Sequence, residues 1–215
     1  MSEEILRALM QLFAIIVKQD GGAEENEVLF VRNFLKYQIG ESGADEYFKM
    51  FAEIAEIDSS SRQKLTSVID SVRILGICKK INKTLNQSQK YVVLVRLFEL
   101  VASDRKLTKQ RIAIIKTASD VFRITNEEFK SIESFVLEEK LENINDNNII
   151  VDTDLRKGEG VGTTKSSEKE IAILRISRAD IYFIKYIGNQ EVFLNGLTMV
   201  SGRIYIFAKG SIVKL

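Results

Sequence analysis

Apolar residues return every third or fourth position through roughly the first two-thirds of the chain, and every second position near its end. Over residues 3 to 18 the stripe is Ile5, Leu6, Leu9, Leu12, Phe13, Ile16 and Val17, one face of an amphipathic helix. Asp20-Gly21-Gly22 stops it, because glycine tolerates the left-handed conformations that end helices. A second helix from about Glu24 to Tyr37 carries Val28, Val31, Phe34 and Leu35. Ile39-Gly40-Glu41-Ser42-Gly43 reads as a loop, and Tyr47, Phe48, Phe51 and Ile54 mark a third helix.

Ser60-Ser61-Arg62-Gln63 has the form of a capping box and opens a long periodic stretch from Leu65 through Val68, Val72, Leu75, Cys78 and Ile81 to Leu85. Asn86-Gln87-Ser88 breaks that stretch. Val92, Val95, Leu97, Phe98 and Val101 form the next helix, up to Asp104. Thr108 caps a helix with Ile112, Ile115, Ala118, Val121 and Phe122. Thr125-Asn126-Glu127-Glu128, a second capping box, starts the last one, with Phe129, Ile132, Phe135 and Val136. Seven or so helices within residues 1–140 predict a compact bundle, so the fold class is mainly α.

Residues 141–170 lose the pattern. Asn143, Asn145, Asn147 and Asn148, then Gly158, Gly160 and Gly162 among charges, read as a polar linker, with Ile149-Ile150-Val151 as one short strand inside it. From Ile171 the period drops to about two. The runs Ile171–Ile176, Ile181–Ile184, Val192–Leu194, Ile204–Phe207 and Ile212-Val213 alternate with turn signals at Gly188-Asn189, Asn195-Gly196, Ser201-Gly202 and Lys209-Gly210. They predict a small antiparallel β-rich segment over 171–215, and its last strand runs to Leu215 as if the β unit were incomplete.

Composition then narrows the chemistry. With 31 Lys+Arg against 30 Asp+Glu the net charge is +1, which gives no general field for nucleic acid. The 215 residues contain no histidine, so Ser-His-Asp and Cys-His nucleophiles and His-ligated metals are excluded. Cys78 is the only cysteine, so no internal disulfide forms, and its apolar neighbours predict a buried small hydrophobe. The longest apolar run, Leu12–Val17, has six residues against the roughly 18 needed to cross a bilayer, and the acidic start lacks a secretory signal. A cytoplasmic protein without direct membrane insertion is expected.

Two near-motifs fail. Gly158 to Ser166 suggests a phosphate loop, but Thr164 stands where a Walker A glycine belongs. Asp152-Thr153-Asp154 opens like a calcium loop, but Arg156 and Lys157 occupy the next ligand and glycine positions. Tyr91, Phe98, Phe122, Phe129 and Phe135 recur at helical spacing and read as core.

The helical part repeats itself. With Asp20 set on Asp104, Phe13, Ile16 and Val17 fall on Leu97, Leu100 and Val101, and Val28, Phe30 and Val31 fall on Ile112, Ile114 and Ile115. Each copy is an apolar helix, an Asp-led turn and a second apolar helix. This arrangement resembles the tellurite-resistance TerB family over about residues 5 to 138, where the signature is a helix ending in Asp-Gly with a Glu seven residues after the Asp. Asp20, Gly21 and Glu27 match it in the first copy; the second keeps Asp104 but has Arg105 for the glycine and Arg111 for the glutamate.

The resemblance implies a divalent-metal site for Ca, Mg or Mn, with Asp20, Glu24 and Glu27 from one turn and Asp104 from the other. Hard cations do require such converging oxygens. The plainer reading, favoured by the cation at position 111, is that Asp20 and Asp104 close helix ends while Glu24 and Glu27 complement a helix N-terminus.

The β segment, Val192–Gly196 followed by Ser201–Phe207, resembles the region that joins a TerB-like domain to a forkhead-associated-like domain in large bacterial ABC-transporter ATP-binding proteins. Gly202-Arg203 and Ser211 only weakly match a phosphothreonine site, and no histidine is present. The expectation is therefore a non-catalytic regulatory or protein-interaction N-terminal region whose partner is another protein or downstream domains, any ATPase lying outside this chain. The alternative is a stand-alone divalent-metal-binding stress protein.

Overall fold

The computed structural model describes residues 2–19, 22–57, 67–152 and 171–214. Among these residues seven α-helices are followed by short strands: α1 Glu3–Lys18, α2 Glu25–Ile39, α3 Glu41–Ala55, α4 Ser67–Thr84, α5 Gln87–Ser103, α6 Lys109–Val121 and α7 Asn126–Leu137. The chain is therefore mainly α, as its periodicity predicts, and it separates into two compact units, Met1–Phe129 and Lys130–Leu215.

Within the first unit, α1 and α5 form the centre and are equivalent in the internal repeat. From Leu9 to Val17 every residue of α1 except Gln11 is buried, and α5 is buried from Tyr91 to Val101 apart from Glu99. Helices so enclosed must be covered on all sides. α1 packs on α3, α4 and α5, while α6 packs on α4 and α5. Phe13 meets Phe30 and Phe34 edge to face with centroids 6.0 and 5.8 Å apart, and Phe98 meets Phe129 at 5.3 Å. All five aromatics read as core are buried.

The helix boundaries follow local chemistry. Asn86, which the sequence marks only as a break, is the N-cap of α5: its Oδ1 accepts from Gln89 N, and Asn86 N donates to Gln89 Oε1. Thr125 and Glu128 form the expected capping box at α7. The anticipated loop at 39–43 shrinks to Gly40. That residue ends α2 and begins α3 at φ +77°, a conformation a side chain resists, so one residue makes the whole corner. The proposed capping box at Ser60–Gln63, the start of the periodic stretch at Leu65, and the near-motifs from Thr153 onward lie outside the described residues.

In the second unit, β1 Ile149–Asp152, β2 Ile171–Ile176, β3 Ile181–Tyr186 and β6 Ile204–Ile206 make an antiparallel sheet in the order β1-β2-β3-β6. β4 Phe193–Leu194, β5 Leu197–Thr198 and β7 Val213–Lys214 make a second, in the order β5-β4-β7. The strand foreseen at residues 149–151 thus pairs with β2, Ile150 opposite Ile173. Asn195 and Gly196 both have positive φ, 52° and 82°, the two-residue turn that an Asn-Gly pair favours between strands. Ile171, Ile184, Tyr186, Val192, Leu194 and Met199 form the core of this unit.

One basic side chain is enclosed there. Lys185, 3% exposed, donates from Nζ to the carbonyls of Phe135 at 2.6 Å and Glu138 at 2.9 Å. It thereby caps the end of α7 from β3, placing positive charge where unpaired helix carbonyls gather.

Cys78 is fully buried on α4, and burial pushes its thiol up to about 12. Thiolate is then scarce at neutral pH. Native protein at pH 7.5 should resist a thiol-alkylating reagent, and one equivalent should react once guanidinium unfolds the chain; mass spectrometry reads both. Rapid modification of folded protein would contradict the burial.

Candidate functional site

The two Asp-led turns of the repeat supply the acidic candidates, and each turn leads into the N-terminus of a helix. Asp20 and Gly21 lie outside the described residues, whereas Glu24, Glu27 and Asp104 are described.

At the start of α2, Glu24 N donates to Glu27 Oε2 at 2.9 Å, so the Glu27 carboxylate satisfies an amide that the helix cannot. In the second copy the equivalent amide, Thr108 N, donates instead to the backbone carbonyl of Lys106 at 2.9 Å, while Thr108 Oγ1 accepts from Arg111 N at 3.3 Å. Position 111 is thereby released from capping its own helix. Its guanidinium instead reaches the other copy: Nη2 lies 2.8 Å from Glu27 Oε1, and Nη1 donates to Asp104 Oδ2 at 2.6 Å. All three side chains are 0% exposed.

Asp104 is fixed on its other side. Its Oδ1 accepts from Lys106 N at 2.9 Å, a turn that an aspartate makes with the backbone two residues on. Arg105 between them has φ +59°, which explains why glycine suits this place in the signature. Two more polar pairs join the turns: Lys106 Nζ with Glu24 Oε1, and Gln110 Nε2 donating to Gln19 Oε1 at 2.6 Å.

The described acids therefore do come together, but around cations of this chain. Glu24 meets Lys106, while Glu27 and Asp104 share Arg111. Burial pushes the Glu27 carboxyl above its usual range, opposed by the Glu24 amide and the Arg111 charge. A divalent ion needs these same oxygens free and convergent. A guanidinium between Glu27 and Asp104 does not fit that requirement, and among the described residues no group of three His, Cys, Asp or Glu converges for a metal.

The sequence singles out Glu24, Glu27 and Asp104 but treats Arg111 only as the residue in a ligand's place. Arg111 is in fact the largest fully buried side chain of the described core. The signal was present, since a charged residue seven positions after Asp104 replaces a charge of opposite sign in the other copy. The supports at Lys106, Gln110 and Gln19 carry no such signal.

The forkhead-like candidates have structural duties. Gly202, at φ +79°, donates its amide to Tyr186 O, and Ser211 Oγ accepts from Asn195 Nδ2 at 3.1 Å. No helix among the described residues is long and apolar enough to cross a membrane.

Residues 6–134 match the family model described as tellurite resistance protein TerB. No curated protein and no solved structure matches the chain.

Proposed function

The chain belongs to the tellurite-resistance TerB family, and on that premise we propose that it is a non-catalytic regulatory or protein-interaction region of a larger bacterial protein. The helical domain docks on a partner protein or on other domains of the same polypeptide, in the cytoplasm. The β unit links it to an effector, for which the ATP-binding subunit of an ABC transporter is the specific candidate. The observation that carries the reading is the neutralisation of Glu24, Glu27 and Asp104 by Lys106 and Arg111. Carboxylates held in this way serve poorly as general acids or bases, because a close opposite charge ties up each of them. Exposed apolar side chains at Leu29 and Tyr37 on α2, and at Val72 and Leu75 on α4, support an interaction role.

The purified chain, assayed with ATP, phosphomonoesters and carboxylic esters in the presence of Mg²⁺, should show no turnover above buffer. In cells of the source organism, a photo-crosslinker at position 29 or 72 should give a discrete adduct to one protein or to a longer product of the same gene. Reproducible turnover that disappears with a point substitution would overturn the proposal.

A further inference from the structure

The repeat makes positions 27 and 111 equivalent, yet one holds a glutamate and the other an arginine, and the two meet. Both lie at 0% exposure, so neither charge is there for solubility. Two buried carboxylates, Glu27 and Asp104, require a cation between them, since uncompensated buried charge is very costly. Were position 111 acidic like position 27, the charge would have to come from outside, and the natural source would be a hard divalent ion. Arg111 supplies it from inside. The backbone of the second turn completes the arrangement, because Thr108 N is satisfied by Lys106 O and the side chain at position 111 is free to serve the other turn.

We propose that Arg111 is a tethered cation filling the place of a divalent ion between the two turns, so that the helical domain is locked without any metal. The same oxygens become a divalent-cation site when position 111 carries a carboxylate. Asp104 Oδ2 and Glu27 Oε1 both face the guanidinium, so its removal leaves two acidic oxygens pointed at one place. A glutamate there adds a third carboxylate.

The test is thermal unfolding of the full chain in EDTA and in millimolar CaCl₂, MgCl₂ or MnCl₂. For the native sequence the melting temperature should be the same in all four. Arg111→Glu should melt lower in EDTA and rise by roughly 5 °C or more with at least one of the ions, saturably. Arg111→Met should melt low and stay unresponsive. A metal-dependent rise in the native protein, lost with Asp104→Asn, would overturn the proposal in favour of metal beside the guanidinium. An Arg111→Glu protein that folds yet ignores every ion would also overturn it, leaving only a buried salt bridge. Should Arg111→Glu be unfolded in EDTA, circular dichroism during metal titration reads the same outcome, since recovery of helix supports the proposal and its absence contradicts it.

Discussion

Arg111→Met should destabilise the protein by about 3–5 kcal/mol, the usual consequence of removing one partner from a buried ion pair. Methionine nearly matches the volume, so the loss comes from charge. It leaves Glu27 Oε1 and Asp104 Oδ2 without their cation, on side chains that are 0% exposed. Against a typical total stability of about 5–15 kcal/mol this is a large share, and reduced soluble expression is expected. Urea denaturation followed by circular dichroism measures it. Neutralising the carboxylates as well, with Glu27→Gln and Asp104→Asn, should recover much of the loss. Glu27→Gln retains an oxygen for the Glu24 amide, so the α2 cap survives. A single-variant loss below about 1 kcal/mol would mean that solvent reaches the site far more than its burial indicates.

Lys185→Met should cost the second unit about 2–3 kcal/mol, in line with losing charge-assisted hydrogen bonds at a helix end. The lysine bonds the carbonyls of Phe135 and Glu138, and its ammonium lies 5.5 Å from the Phe135 ring centroid. Without it the carbonyls of Phe135 and Glu138 lose their ammonium donor. The effect should be local. Amide hydrogen exchange should accelerate in β2, β3 and the last turn of α7, whereas α1 and α5 keep their protection. Uniform acceleration over both units would contradict this, as would unchanged exchange at the end of α7.

Much of the fold is legible in the sequence because its main elements obey simple periods. Leu9, Leu12, Phe13 and Ile16 mark α1, Thr125 and Glu128 mark the start of α7, and Asn195-Gly196 marks the turn between β4 and β5. The misreadings concern single residues whose role depends on the third dimension. Gly40 ends one helix and starts the next by itself, so counting polar residues overstates the loop.

The site is half legible. The duplication locates the turns and their acids, and it flags position 111 as anomalous. It does not reveal that Arg111 crosses to Glu27, 84 residues away in sequence, because nothing local encodes that approach. Lys185 is similar. A lone lysine in the strand Ile181–Tyr186 is a visible irregularity, but its acceptors come from a helix end about 50 residues earlier.

The double-mutant cycle of Glu27→Gln and Arg111→Met tests the central claim most directly. In urea unfolding the two residues should show a coupling of about 2–3 kcal/mol, because Arg111→Met alone strands two buried carboxylates, whereas with Glu27→Gln also present it strands only Asp104. Losses that simply add, with coupling below about 0.5 kcal/mol, would contradict a buried ion pair joining the two copies of the repeat.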